Sequence, residues 1–398
     1  MIAVTGAGII SALGIGVNET LVSLCNGYSG VGELKYLSTI HRDIPCAEVQ
    51  KSDAELIELL GLSRNDIIVR TSLLGIVAAK EALESAGYER FKNKRVAFIN
   101  GTTVGGMEKS EQYYLDFISN DSRNGYIAAH ECGACTEKIS DVLAPFINGF
   151  SFVTTISTAC SSATNTIILG ANLIKAGIVD VAVVGGSECI TKFHLNGFNT
   201  LMILDKEPCR PFDATRAGLN LGEGAGFIVL ERSNDCESEN IEPLCYLSGY
   251  GNACDAFHQT ASSENGIGAM LSMKKAIEMS GLKPSDIDYI NAHGTGTPNN
   301  DLSEGRAIMS LFGDRIPYVS STKSMTGHTT SASGGIEAVI SILALKNGFI
   351  PANINFKNKM PELSFTPVSE VINYPKLKHV LSNSFGFGGN DSTIILSK

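Results

Sequence analysis

Along the whole chain, runs of β-branched and aromatic residues alternate with longer runs whose apolar positions recur at helical spacing. This alternation predicts α/β layering. Before residue 232 the strand-like runs are "IAVT", "RVAFIN", "SFVTTIS", "VDVAVVGG" and "GAGFIVLE". After it come "LCYLSGYG", "IDYINAHG", "IPYVSST", "HVLSNSFG" and "STIILS". The polar stretch "RSNDCESEN" separates the two sets and reads as a linker. At 398 residues the chain is longer than one core sustains, so two halves are expected, 1–235 and 236–398. Residues 107–150 break the pattern. They are mixed, polar and helix-like, and read as an insertion that caps something.

Composition narrows the function classes. A formal net charge of −10 argues against general nucleic-acid binding, which needs a basic face. An acidic partner would need a local basic patch. The start, "MIAVTGAGII", enters strand-like residues without a basic leader, and no apolar stretch is long enough to span a bilayer. The expectation is a soluble, cytoplasmic protein. Ten cysteines without a regular spacing read as buried thiols rather than a disulfide framework.

Two motifs tempt and are set aside. "VTGAGIISALG" offers Gly-x-Gly after a strand, but Ser11 replaces the third glycine of a dinucleotide fingerprint. No acidic residue closes a second strand at the ribose-binding distance, so a tight strand-to-loop turn is expected. "HECGAC" places His130, Cys132 and Cys135 together without the second pair that zinc requires; buried thiols in a helical cap are the better reading.

Cys160 is different. In "TTISTACSSATN" it stands where a strand-like run gives way to a small-residue helix that stops at Gly177. Near a helix N-terminus, backbone N–H groups and the macrodipole favour thiolate and can hold the oxyanion of a tetrahedral adduct. Alone, Cys160 could equally be a core thiol. His293, in "IDYINAHGTGTP", and Lys323 and His328, in "YVSSTKSMTGH", occupy the same kind of position after a strand. Ligands bind at that edge of open α/β sheets. "NSFGFGG" adds Phe385 and Phe387 among glycines, either a hairpin turn or a movable cover.

Taken together, "TACSSA", "NAHGTGTP", "SSTKSMTGH" and "NSFGFGG" resemble the signature set of the elongating β-ketoacyl-acyl-carrier-protein synthases. "VTGAG", "VVGGSE", "CRPFDATRAGLNLGEGAGFIVLE", "DAFHQTASSENG" and "SILALKNG" extend the resemblance along most of the chain, and it weakens over residues 30–70 and 107–150. It implies the thiolase-like fold, two similar α/β halves in five layers, α-β-α-β-α, usually as a homodimer. Cys160 matches the acyl-accepting nucleophile. His293 and His328 match the histidines that assist decarboxylation of malonyl-carrier protein. Lys323, with its acidic neighbour Glu337, matches the electrostatic support. Phe387 matches the gate, with Phe385 beside it, and the Phe387 and Cys160 N–H groups match the oxyanion hole. Thr295 and Thr297 match the threonines that bind the phosphopantetheine arm. Val104 falls where members vary a residue limiting pocket depth, and Arg64, Arg70 and Lys206 are the candidates for gripping an acidic carrier protein. No metal or organic cofactor is implied.

Close relatives are weighed on single positions. A thiolase would keep a second cysteine near its C-terminus, whereas the last cysteine here is Cys254. Initiating and chalcone-type synthases use Cys-His-Asn, and here His328 takes the third place. A non-condensing partner subunit would be expected to lose the nucleophile. "GGND" stands where "GGTN" is commoner in the family. The implied reaction serves fatty-acid elongation or a dedicated polyketide or aryl-polyene-type pathway. Outside that class, a catalytically silent binding partner and an oxidoreductase are the rivals.

Overall fold

The computed structural model describes residues 1–63, 68–119 and 132–398. All ten expected strands form. In the N-terminal half they are β1 (Ile2–Ser11), β2 (Val96–Gly101), β3 (Phe152–Ile156), β4 (Val181–Glu188) and β5 (Gly224–Arg232). In the C-terminal half they are β6 (Cys245–Cys254), β7 (Tyr289–Asn291), β8 (Tyr318–Ser320), β9 (His379–Gly386) and β10 (Asn390–Ser397). The strand order is β3-β2-β4-β5-β1 in the first half and, read in the opposite sense, β8-β7-β9-β10-β6 in the second. The two orders are the same topology. In both, the first two pairings are parallel and the last two antiparallel. Residues 2–4 of β1 pair with residues 245–247 of β6 and join the sheets.

The helices explain how two sheets, each apolar on both faces, are covered. Helix α1 (Arg70–Ala86) packs outside the first sheet, against β1, β5 and β4. Helices α4 (Ser162–Lys175) and α8 (Ser333–Asn347) lie between the sheets. Their apolar residues share one core with Val4, Ile99 and Ile228 on one side and Leu247, Val380 and Ile394 on the other. Helices α6 (Ile267–Ser280) and α7 (Pro298–Phe312) cover the outer face of the second sheet. The result is five layers, α-β-α-β-α. Helix α8 is buried along residues 333–345, which suits a layer covered on both sides.

The insertion is helical where it is described, as α2 (Met107–Ser119) and α3 (Cys132–Ile147). His130 lies outside the described residues, and Cys135 is a buried thiol. "RSNDCESEN" connects the halves through a short helix, α5 (Ser233–Ser238). The expected turn in "VTGAG" is a correction: the glycines lie inside β1, which runs on to Ser11. A Cβ on Gly8 would sit 2.1 Å from the Ala78 carbonyl oxygen, and one on Gly6 the same distance from that of Ala82. These glycines let α1 press onto the strand.

Candidate active site

The corner that carries Cys160 is strained and tightly held. β3 ends at Ile156 and α4 begins at Ser162. Between them Ala159 adopts a left-handed backbone conformation, φ 51°, which costs a non-glycine residue energy and turns the chain sharply. The Ser162 hydroxyl fixes the turn, accepting from the Thr158 N–H at 2.9 Å and donating to the Ala159 carbonyl at 2.6 Å. Gly386 at the end of β9 closes against this corner; a Cβ there would lie 3.1 Å from the Cys160 nitrogen.

The second half brings its residues to the same point. Donor atoms of Cys160, His293 and His328 all lie within 4.8 Å of one another. The two imidazoles stand edge to face, centroids 5.3 Å apart. Glu304 on α7 holds the His293 loop by accepting from the His293 and Gly294 N–H groups, at 2.9 and 2.7 Å, and from Asn383 at 3.0 Å. His328 Nδ1 accepts from the Thr330 N–H at 3.1 Å and contacts the Ser333 hydroxyl at 3.0 Å. That assigns the neutral ring its proton at Nε2. Burial, and then the Lys323 ammonium, push both imidazoles well below the ordinary histidine value. Both are neutral at pH 7. His293 Nδ1 is buried and has no hydrogen-bond partner among the described residues.

Behind the histidines, Lys323 and Glu337 form a fully buried ion pair. Burial outweighs the lysine at Glu337, whose carboxyl is pushed up to about 7. The Cys160 thiol is pushed up to about 11, first by burial. Lys323 and the N–H groups of Phe387 and of Cys160 pull it down, and Glu337 opposes them. This corrects the expectation from the helix N-terminus: in the resting site burial wins and the thiol is protonated.

A cavity of about 300 Å³ opens onto these groups. Thr295 and Thr297 line it, and their hydroxyls bond each other at 2.9 Å. Phe387 lines it and stacks on Phe198, centroids 6.0 Å apart, while Phe385 packs against the His293 ring at 5.8 Å. Val104 does not line this cavity; its N–H donates to the buried Glu188 at 3.3 Å.

Of the carrier candidates, Arg64 lies outside the described residues. Arg70 is a correction. Its side chain is 11% exposed, donates from Nε to both Glu223 oxygens at 3.0 Å, and reaches Asp53 at 2.7 Å. A guanidinium so engaged is structural and has nothing left to offer a partner. Lys206 is 74% exposed and pairs with the exposed Asp43 at 2.6 Å. Sequence reading missed Glu304 and Glu188. Glu188 accepts from Thr102, Thr103 and Ser331, tying the first half's loops to the segment after His328. Both carboxylates lie inside quoted or adjacent motifs, but nothing local marks an acid as a loop anchor.

A buried cysteine at a strained strand-to-helix corner, two neutral histidines and backbone N–H groups around its sulfur define a thiol-based acyl-transfer site on a thiolase-like fold. The β-ketoacyl synthase N-terminal domain family matches residues 1–236, and the β-ketoacyl synthase C-terminal domain family matches residues 244–357. The chain belongs to the β-ketoacyl synthase family. It is 31% identical to a Staphylococcus aureus (strain COL) 3-oxoacyl-[acyl-carrier-protein] synthase 2, over 100% of this chain and 98% of that protein. The ishigamide ketosynthase/chain length factor superposes with a TM-score of 0.91 at 29% identity, covering 100% of this chain and 98% of the other. The ketosynthase ApeO in complex with its chain length factor ApeC, from Xenorhabdus doucetiae, gives 0.83 at 29% identity, with 100% and 97% covered.

Proposed function

We propose that the chain joins an acyl group carried on Cys160 to malonyl-acyl-carrier protein, with loss of carbon dioxide, giving a β-ketoacyl-carrier protein. The observation that carries this reading is the convergence of Cys160 with two neutral imidazoles within 4.8 Å. In the first half-reaction the Cys160 sulfur attacks the acyl thioester, its proton leaves with the departing carrier thiol, and the Phe387 and Cys160 N–H groups hold the oxyanion. Next, malonyl-carrier protein enters past Thr295 and Thr297. The C–CO₂ bond breaks and its electron pair passes into the enolate, whose oxygen accepts hydrogen bonds from His328 Nε2–H and from His293. The enolate carbon then attacks the acyl-Cys160 carbonyl, and the thiolate leaves. Neutral donors suit this work because they stabilise the charge that develops without holding a carboxylate in the ground state. The steps need no metal or organic cofactor.

The proposed setting is fatty-acid elongation in the cytoplasm, with an acyl-carrier protein as partner. No described helix is long and apolar enough to cross a membrane. A second subunit is part of the reading. β3 is an edge strand in the sheet order, with Val153 exposed, and Tyr114, Leu115 and Ile118 of α2 are exposed large apolar groups. An open edge and such side chains are usually covered by a partner. A second copy of this chain fits the homodimer. The likeness to ketosynthases solved with chain length factors favours one other reading, a dedicated synthase of a polyketide or aryl-polyene-type pathway paired with a related subunit. Offering acyl-carrier proteins of graded chain length with malonyl-carrier protein, and weighing the products by mass spectrometry, tests the reaction. The native mass of the purified protein tests the pairing.

A further inference from the structure

The proposed condensation puts two molecules in the site at once, and the cavity serves only one of them. It runs from the exposed Thr260 and Asn299, past Thr297 and Thr295, to the buried Cys160. While malonyl-carrier protein reacts, the carrier's arm fills that passage. The acyl chain already on Cys160 has to lie elsewhere. Among the described residues, Cys160 is the only one before Phe198 that lines the cavity. On that side the site is shut by Phe387 stacked on Phe198.

Beyond the stacked pair stands a buried ring that no step above uses. His194 is 5% exposed and lies one turn before Phe198 on the helix Lys192–Thr200. The two side chains therefore project from the same helix face. Their rings meet edge to face, centroids 6.3 Å apart. Phe193 meets the His194 ring at 6.4 Å and is half exposed. Four rings in contact thus lead from the gate to the surface: Phe387, Phe198, His194 and Phe193. His194 is the last buried one.

The ring is held where it stands. Thr191 caps the helix by accepting from the His194 N–H at 3.2 Å, and the same hydroxyl contacts the ring Nδ1 at 3.2 Å. Glu111 of α2 accepts from the Phe193 N–H at 2.5 Å and the Lys192 N–H at 3.3 Å. A carboxylate at the helix N-terminus fixes the first turn, which carries His194.

We infer that His194 is the stop for the acyl chain: once Phe387 leaves Phe198, the chain on Cys160 runs along Phe198 and ends against the imidazole, which sets the longest chain accepted. The inference rests on the proposed acyl transfer to Cys160. It moves the control of chain length from Val104, which does not line the cavity, to a residue one helical turn behind the gate. A methylene that fits short of the ring is buried in apolar surroundings. One that would pass the ring finds its place taken.

The test follows acyl transfer alone. The native chain, His194→Ala, His194→Thr and His194→Gln are each given acyl-pantetheine thioesters from butyryl to palmitoyl. The adduct on the Cys160 peptide is timed by mass spectrometry. In the transfer the Cys160 sulfur bonds the acyl carbon, the bond to the pantetheine sulfur breaks, and the proton leaves with the pantetheine thiol. The pantetheine occupies the passage, so the chain is forced to the far side of Cys160. The native rate holds up to one chain length and breaks off beyond it. In His194→Ala the break moves to longer chains, each methylene that gains apolar room raising the rate about fourfold, while butyryl transfer is unchanged. His194→Thr moves the break the same way by less, and His194→Gln, of similar bulk, leaves it in place. A native rate without a break, the same break in His194→Ala, or an equal loss at every length would overturn the inference and leave acyl transfer standing. So would a break that Val104→Ala moves and His194→Ala does not. No adduct from any thioester on any of these proteins would overturn the inference and the condensation together.

Discussion

His328→Ala removes one hydrogen-bond donor and leaves the nucleophile in place. The magnitude follows from how the donor is held. Thr330 N–H and Ser333 Oγ occupy Nδ1, so the proton sits at Nε2. The ring is buried and neutral, on the wall of the cavity where charge develops on the substrate. Losing one such preorganised donor costs about 3 kcal/mol, or about two orders of magnitude in rate. The assay is release of labelled carbon dioxide from malonyl-carrier protein, with acyl transfer to Cys160 followed separately by intact-protein mass spectrometry. Decarboxylation should fall about 100-fold while acyl-Cys160 still forms. The native rate should also show no histidine inflection between pH 6.5 and 8, because both imidazoles are already neutral there. Undiminished carbon dioxide release from the variant would refute the reasoning. So would a rate that drops as pH rises through 6.5 in both the native chain and Glu337→Gln, since an imidazolium and not the Glu337 carboxyl, itself pushed up to about 7, would then be titrating.

Three further outcomes are expected. Lys323→Ala takes away the ion-pair partner of the buried Glu337 carboxyl, which must then take up a proton, and should cost about 3–5 kcal/mol in denaturant unfolding. The double variant Lys323→Met, Glu337→Leu should recover much of that stability without recovering condensation. Arg70→Met breaks a buried pair with Glu223 and should lower stability by about 3 kcal/mol or more; the KM for carrier protein, measured on the enzyme that remains folded, should be unchanged. Gly8→Ala sets a methyl 2.1 Å from the Ala78 oxygen and should cost about 1–3 kcal/mol, read as a lower Tm.

Much of the fold was legible because strand pattern is local. Each of the ten apolar runs became a strand, and each chemistry-bearing residue stood next to one of them. Cys160 and Lys323 follow topologically equivalent strands, β3 and β8, and this is how two halves with no evident repeat place their residues at one edge. What stayed hidden depends on contacts across the chain. Gly6 and Gly8 suggested a turn because their close neighbours, Ala82 and Ala78 of α1, come 76 and 70 residues later. Arg70 looked like a surface cation because Glu223, 153 residues away, is invisible from its local sequence. The Cys160 thiol was expected below its ordinary value from the helix that follows it. Burial beneath the second half reverses that direction. Glu304 and Glu188 went unread because an acid that accepts from backbone N–H, hydroxyl and side-chain amide groups far along the chain leaves no periodic trace.

The most direct measurement is condensation itself. The native chain and Cys160→Ala would each be given acyl-carrier protein and malonyl-carrier protein, and both the protein and the products would be weighed. The account predicts an acyl adduct on Cys160, carbon dioxide release and a β-ketoacyl product two carbons longer from the native chain, with neither adduct nor product from the variant. A native chain that forms no adduct and releases no carbon dioxide across a full range of acyl lengths and carriers would contradict it, and would make the chain a silent partner of another synthase.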